Sequence, residues 1–271
     1  MEFTTSPGHG LPARGIEAGR EGIGRVTRAY FIEPDWPVPA GVRALSTLRT
    51  GGVSVGPYQG LNLGAHVGDA PEAVATNREL LARAAGLDSD PLWLDQVHSP
   101  RAVNAADWQA GVQADACVAL SGGQVCAIMT ADCLPVLFCD QNGQSVAAAH
   151  AGWRGLLSGV LESTLFMMNA PPSKILAWIG PGIGQQAFEV GGEVREAFVA
   201  QDAGAAVFFV PNPAGRWQAD LPGLARHRLN GLGLERVFGG DLCTASDPQR
   251  FFSYRRDGQC GRMASMVWLE K

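Results

Sequence analysis

Short apolar runs of strand length alternate along this chain with stretches whose apolar residues recur at helical spacing, the pattern of a mixed α/β fold. Val125–Met129 and Leu134–Cys139 are apolar almost without interruption and predict buried strands, and Ser145–Ala149 predicts another after the Gln141-Asn142-Gly143-Gln144 turn. Ile175–Ile179 predicts a strand that runs into Gly180-Pro181-Gly182; Arg236–Phe238 and Ala264–Leu269 predict two more. Pro71–Ala85 reads as a helix with proline in its first turn and Gly86 as its stop. Gly155–Asn169 reads as one helix, apolar along Leu156, Val160, Leu161, Leu165 and Met168 and closed by Pro171-Pro172. Gly192–Gln201 and Leu221–Leu229 predict further helices.

No repeat or low-complexity linker divides the chain. The expectation is a glycine-rich tail over residues 1–25 and a single domain over 26–271. One connection is unusually long: residues 49–68 hold six glycines together with Arg49, Asn62 and His66, and loops of that length usually serve binding. The Gly180–Gly184 run has neither dinucleotide-loop spacing nor a P-loop lysine, so it reads as a strand-to-helix turn.

Composition narrows the partners. The chain is 46% hydrophobic and 17% charged, with a formal net charge of −5 and no apolar run of bilayer length. Nucleic acid and anionic membranes would demand a basic face that is missing, so small molecules are the expected ligands. The N-terminus carries no export-type apolar segment, which points to the cytosol and to six cysteines as free thiols. Cys117, Cys126 and Cys139 fall in apolar runs and read as small buried hydrophobes.

Three short motifs carry candidate chemistry: Asp95-Gln96-Val97-His98, Thr130-Ala131-Asp132-Cys133-Leu134-Pro135 and His150-Ala151-Gly152-Trp153-Arg154-Gly155. Cys133 and His150 each border predicted strands, where α/β folds gather functional groups. One thiolate and two imidazoles suit zinc or copper, and three protein ligands leave a coordination position open. Spacing alone does not select this reading. Cys133 with His150 would equally serve as a thiolate–imidazole pair for nucleophilic catalysis in a hydrolase or deamidase.

Those three motifs resemble the signature segments of the YfiH family. Arg49-Thr50-Gly51-Gly52-Val53-Ser54, the run Leu61 to Asp69, and Tyr254-Arg255-Arg256-Asp257-Gly258 are similar to further family patterns in the same order, from about Ala29 onward. The resemblance implies an α/β (α+β mixed) fold of layered mixed β-sheets flanked by helices, shared with a cytotoxic-necrotizing-factor-like deamidase. It implies metal ligands at His98, Cys133 and His150, with Arg49, Asn62 and His66 lining the same cavity. It also implies a purine nucleoside phosphorylase acting on adenosine, inosine and S-methyl-5′-thioadenosine, with adenosine deaminase activity. Relatives are described as peptidoglycan editing factors too, which makes a muropeptide precursor an alternative ligand. Ser99-Pro100 depart from the family pattern, which usually has glycine after the histidine, and Gln259-Cys260-Gly261-Arg262 is a second variation.

The family's older laccase label meets a simple count. A blue-copper centre needs two histidines and a cysteine, and a trinuclear cluster needs roughly eight histidines more. This chain has five, so a full multicopper laccase is disfavoured, although copper could occupy the zinc site. For deamination at C6, Asp132 is the leading carboxylate, either shuttling protons or orienting a ligand imidazole. For phosphorolysis, Arg49 and Arg154 are the candidates to hold phosphate, helped by the start of the helix after Gly155, and His66 would contact substrate or transfer a proton. Trp153 reads as a packing residue and His227 as part of a solvated helix face. The expected partners are a purine nucleoside and phosphate, with the protein a monomer or homodimer.

Overall fold

The computed structural model describes residues 31–270. The expected tail and the domain start at Val26 lie outside the described residues. In chain order the elements begin β1 (Phe31–Ile32), β2 (Val42–Thr47), α1 (Pro71–Ala85), β3 (Pro91–Leu92), β4 (Ala102–Asn104), β5 (Ala116–Ala119) and β6 (Val125–Thr130). They continue β7 (Leu134–Asp140), β8 (Val146–Ala151), α2 (Trp153–Ser158), α3 (Val160–Met168), β9 (Ile175–Ile179), β10 (Glu189–Val190) and α4 (Gly192–Gln201). The chain closes with β11 (Phe209–Pro211), β12 (Trp217–Ala219), α5 (Leu221–Gly231), β13 (Arg236–Gly239), α6 (Tyr254–Asp257) and β14 (Met263–Leu269).

Two mixed sheets organise these elements. One has five strands in the order β1-β2-β14-β6-β3, the other six in the order β13-β9-β7-β8-β5-β4, and β10-β12-β11 form a small third sheet. Strand alternation assigns each residue a layer. Val125 and Ala127 of β6 pack with Leu80 and Leu81 of α1, whereas Cys126 and Ile128 face Leu137 and Cys139 of the other sheet. Val136 and Phe138 of β7 turn the opposite way, onto Leu156, Leu161 and Leu165 of α2 and α3. The result is four layers, helix, sheet, sheet and helices. Because both central sheets are covered on both faces, β6, β7 and β8 are buried throughout, which explains their unbroken apolar sequences. Cys117, Cys126 and Cys139 lie buried between the sheets as free thiols.

The helix expected over Gly155–Asn169 is two helices. Gly159 adopts φ +96°, a left-handed conformation open to glycine, and divides α2 from α3. The predicted apolar face, Leu156, Val160, Leu161, Leu165 and Met168, still packs into the core, while Phe166 points to solvent. Pro71–Ala85 has the expected bounds, ending at Gly86 with φ +63°. No helix among the described residues is long and apolar enough to cross a membrane.

The topology matters most where the chain changes sheets. β3 belongs to the five-stranded sheet and β4 to the six-stranded one; the same is true of β6 and β7. Both crossovers carry a candidate ligand, His98 in the first and Cys133 in the second. His150 stands near the end of β8, opposite Pro135 of β7.

The long 49–68 connection is held by buried amides. Asn77 of α1, without solvent exposure, donates to Ser54 Oγ at 2.9 Å, Asn62 O at 2.9 Å and Gly60 O at 3.3 Å, and accepts from Val53 N at 2.8 Å. Asn62, equally buried, donates to Asp69 and accepts from the Gly64 and Arg262 amides. Asn77→Ala therefore leaves several buried polar groups unpaired, and we expect a loss of about 1–3 kcal/mol per unpaired group, read as a lower urea midpoint at unchanged slope.

Candidate metal centre

His98, Cys133 and His150 converge: one donor atom from each lies within 4.8 Å of the others. Cys133 Sγ is 3.8 Å from His98 Nε2, and the two imidazole rings meet edge to face with centroids 4.8 Å apart. Among the described residues this is the one group of three or more histidine, cysteine or acidic donors so arranged. A thiolate and two imidazoles form a donor set that fits one zinc or copper ion, and the other histidines among the described residues, His66 and His227, are too few to build a trinuclear cluster beside it.

Local backbone and packing produce this convergence. His98 sits at φ +61° and Asp132 at φ +100°, conformations that L-residues adopt only where their surroundings enforce them. The loop before His98 is tied to β6 by Gln96, whose amide donates to Met129 O and accepts from Met129 N, each at 2.8 Å. Gly152 leaves room for the ligands: a Cβ there would lie 2.8 Å from Cys133 Sγ and 3.0 Å from His98 Cδ2.

Behind the histidines lies Asp115, which has no solvent exposure. Its carboxylate accepts from His150 Nδ1 at 2.8 Å, Val97 N at 3.3 Å, His98 N at 3.0 Å, Ser99 N at 2.6 Å and Ser99 Oγ at 2.8 Å. Burial alone would raise its pKa, but the bonds from His150 and Ser99 outweigh that and hold it below the usual carboxylate range. With Nδ1 engaged, His150 has Nε2 left for the ligand side. Burial also pushes the Cys133 thiol up, yet the charge of His150 and the hydrogen bonds from His150 and His98 bring it down to about 6. His150 itself is pulled down by burial and raised more strongly by Cys133 and Asp115, to about 9. Without an ion both shifts favour a thiolate beside an imidazolium.

The donors open into a cavity of about 570 Å³ whose lining includes His66, Met129, Asp132, Trp153, Arg154, Ile183, Phe188, Tyr254, Arg255 and Arg262. Three arginines on its wall each stack on an aromatic ring: Arg154 over Trp153 at 4.4 Å, Arg255 over Phe188 at 5.4 Å and Arg262 over Tyr254 at 6.0 Å. Arg255 and Arg262 donate to backbone carbonyls, and among the described residues none of the three pairs with a carboxylate. The wall is thus cationic in a protein of net negative charge, a field suited to an anion. His66 is exposed at one edge. Partial burial and the charges of Arg262 and Arg78 hold its imidazole below the usual range, against the pull of Asp95.

Several expected site residues have other surroundings. Arg49 is not among the lining residues of this cavity; it donates to Pro248 O at 3.1 Å, stacks on Phe252 and borders a separate, open cleft of about 930 Å³. Asn62 is also absent from the lining, because its amide is spent on holding the loop. Asp132 lines the cavity, but Thr244 Oγ1 and Arg255 N each donate to one of its oxygens at 2.6 Å, so it binds the C-terminal segment rather than a ligand imidazole. Arg154 lines the cavity from the first turn of α2, a short helix of six residues. Trp153 packs partly buried against the core. His227 is no merely solvated residue: it pairs with Asp202 at 2.6 Å and packs on Phe208.

Asp115, Gln96 and Gly152 were not singled out by sequence reasoning. A visible signal existed for Asp115, an acid inside the apolar run Ala114–Ala119. Arg255, Arg262 and Tyr254 stand in or beside quoted motifs, yet their positions on this wall follow from topology, since α6 and β14 close the cavity from the chain's end.

Two measurements follow. Gly152→Ala should displace Cys133 and His98 and lower bound metal per chain, measured by elemental analysis, while circular dichroism stays unchanged. In metal-free protein, iodoacetamide should modify Cys133 with a midpoint near pH 6, instead of the ordinary thiol value of about 8.5. The reaction slows below that pH as the thiolate is protonated.

Comparison with known proteins agrees over nearly the whole described chain. The sequence model of a family described as multi-copper polyphenol oxidoreductase laccase matches residues 43–270. The purine nucleoside phosphorylase YfiH of Escherichia coli K12 is 54% identical over 240 residues, covering 88% of this chain and 98% of the relative. A purine nucleoside phosphorylase of Pseudomonas aeruginosa is 54% identical over 242 residues, covering 89% and 98%. Among solved structures, a Neisseria meningitidis protein matches with a TM-score of 0.86 at 52% identity, covering 89% of this chain and 100% of its own. YlmD from Geobacillus stearothermophilus matches with a TM-score of 0.86 at 27% identity, covering 92% and 99%. With the family model matched over residues 43–270 and its relatives covered almost completely in sequence and fold, the chain belongs to the YfiH family.

Proposed function

We propose that this protein is a metal-dependent purine nucleoside phosphorylase that acts on adenosine, inosine and S-methyl-5′-thioadenosine and also deaminates adenosine. The observation that carries this reading is the joining of two features in one cavity: a His98–Cys133–His150 donor set and a wall of three arginines without carboxylate partners. The names of the most similar relatives supply the nucleoside.

In phosphorolysis a phosphate oxygen attacks C1′, the C1′–N9 bond breaks, and the products are ribose 1-phosphate and the free purine. Arg154, Arg255 and Arg262 bind and orient the phosphate, stiffened by their aromatic partners. Asp132 fixes Arg255 by accepting its backbone N–H. His66, kept neutral near pH 7, donates a hydrogen bond to N7 of the departing purine. Trp153, Phe188 and Ile183 supply the apolar surface a base requires. His98, Cys133 and His150 would hold zinc, with copper an alternative occupant, and a bound ion supplies Lewis-acid polarisation and water activation.

The convergence of Cys133 and His150 also favours a second reading. A thiol held down by a neighbouring imidazole suits a metal-free cysteine hydrolase.

Phosphate-dependent release of adenine from adenosine separates the two. The proposal expects that chelation abolishes turnover, that zinc restores it, and that His98→Ala, Cys133→Ala and His150→Ala lose metal and activity together. Undiminished turnover in metal-free protein, ended by thiol alkylation, would establish the cysteine mechanism instead. Arg154→Ala should raise the phosphate KM about 10- to 100-fold, the worth of one charge-assisted hydrogen bond, with the metal retained. Asp132→Asn should lower phosphorolysis and deamination in parallel if the carboxylate only positions Arg255; selective loss of deamination would make Asp132 the proton shuttle.

A further inference from the structure

We propose that Asp115 is the positioning residue of the metal centre, assembling both histidine arms into binding geometry before an ion arrives, with Ser99 as its auxiliary. This rests on the reading of His98, Cys133 and His150 as a metal site.

Three consecutive backbone N–H groups, those of Val97, His98 and Ser99, point at one carboxylate. Such a nest of amides needs an anion at its centre, and Asp115 provides it internally. The nest accounts for the left-handed backbone of His98: a φ of +61° persists only when the surroundings fix it, and the bond from His98 N to Asp115 Oδ1 does so from the residue's own amide. The same oxygen accepts from His150 Nδ1, so one atom couples the two ligand-bearing segments. The Asp115 backbone reinforces the arrangement, accepting from His150 N at 2.6 Å and donating to Arg101 O at 2.9 Å. Ser99 closes the loop through its hydroxyl, which donates to Asp115 at 2.8 Å and accepts from Arg101 N at 3.2 Å.

Every partner of the carboxylate is a donor, five in all. An asparagine of the same shape would turn its NH₂ against at least one of them, and a wrongly directed amide no longer selects the Nδ1–H form of His150. Charge and acceptor capacity, more than volume, are what the site requires at this position. Asp115 touches neither substrate nor ion; it acts through the histidines.

The test uses the full chain as wild type, Asp115→Asn and Ser99→Ala, each checked for folding by circular dichroism. Zinc affinity is measured by competition with a chromophoric chelator, and exchange of the His98 and Ser99 amides is followed by NMR in zinc-free protein. Asp115→Asn should weaken zinc binding about 10- to 100-fold, as loss of a ligand-orienting partner does, and should remove protection of both amides without zinc. Ser99→Ala should shift both readouts the same way by less. Wild-type affinity and wild-type exchange in folded Asp115→Asn would overturn the proposal. Should that variant not fold, Ser99→Ala decides, and no change in either readout overturns it. Failure of the wild type to take up zinc would instead sink the metal reading, and amide exchange alone would then decide whether Asp115 organises the segment.

Discussion

A carboxylate removed from water is unstable unless donors surround it, and the geometry around Asp115 follows from that requirement. The chain meets it by wrapping residues 97–99 around the oxygens and turning the His150 ring toward them. Satisfying the acid places His98 and His150 side by side, and Cys133 enters the remaining gap over the bare face of Gly152. The electrostatic consequences run in the same direction. Asp115 supports positive charge on His150, and His150 in turn supports the thiolate of Cys133.

The fold supplies the setting. In a four-layer arrangement a chain that moves between central sheets must cross at their ends, where strand hydrogen bonding stops and irregular backbone is tolerated. The β3–β4 and β6–β7 crossovers bring His98 and Cys133 to one such end, and β8 brings His150. The C-terminal segment completes the cavity, with Asp132 holding Thr244 and Arg255 across more than a hundred residues of sequence. Two of the wall arginines, Arg255 and Arg262, therefore come from the C-terminal segment, far along the chain from the metal donors, whereas Arg154 follows closely on His150.

The sequence makes some of this legible and hides the rest for physical reasons. Val125–Met129 and Leu134–Cys139 announce strands because both their faces are buried, and Pro71 with Gly86 marks α1 at both ends. Gly159 hides its role, since a glycine within an apolar helical pattern reads as continuous helix until its φ is known. The ligand triad is legible through its motifs, although spacings of 35 and 17 residues carry no metal signature by themselves. The surroundings of Arg49 and Asn62 are hidden in a glycine-rich loop whose contacts are not written in its own residues: one stacks on Phe252 and the other pins the loop. Asp115 is hardest to find, because its importance lies in donors contributed by residues far along the chain. Ser99, a departure from the family pattern, becomes meaningful only once its bond to Asp115 is seen.

The state proposed for this centre is one metal ion on one sulfur and two imidazole nitrogens. X-ray absorption at the zinc edge of the zinc-loaded protein tests it most directly. The expected shell is one sulfur at about 2.3 Å, two imidazole nitrogens at about 2.0–2.1 Å and a lighter fourth ligand. A shell without sulfur, or one with several sulfurs, would contradict it.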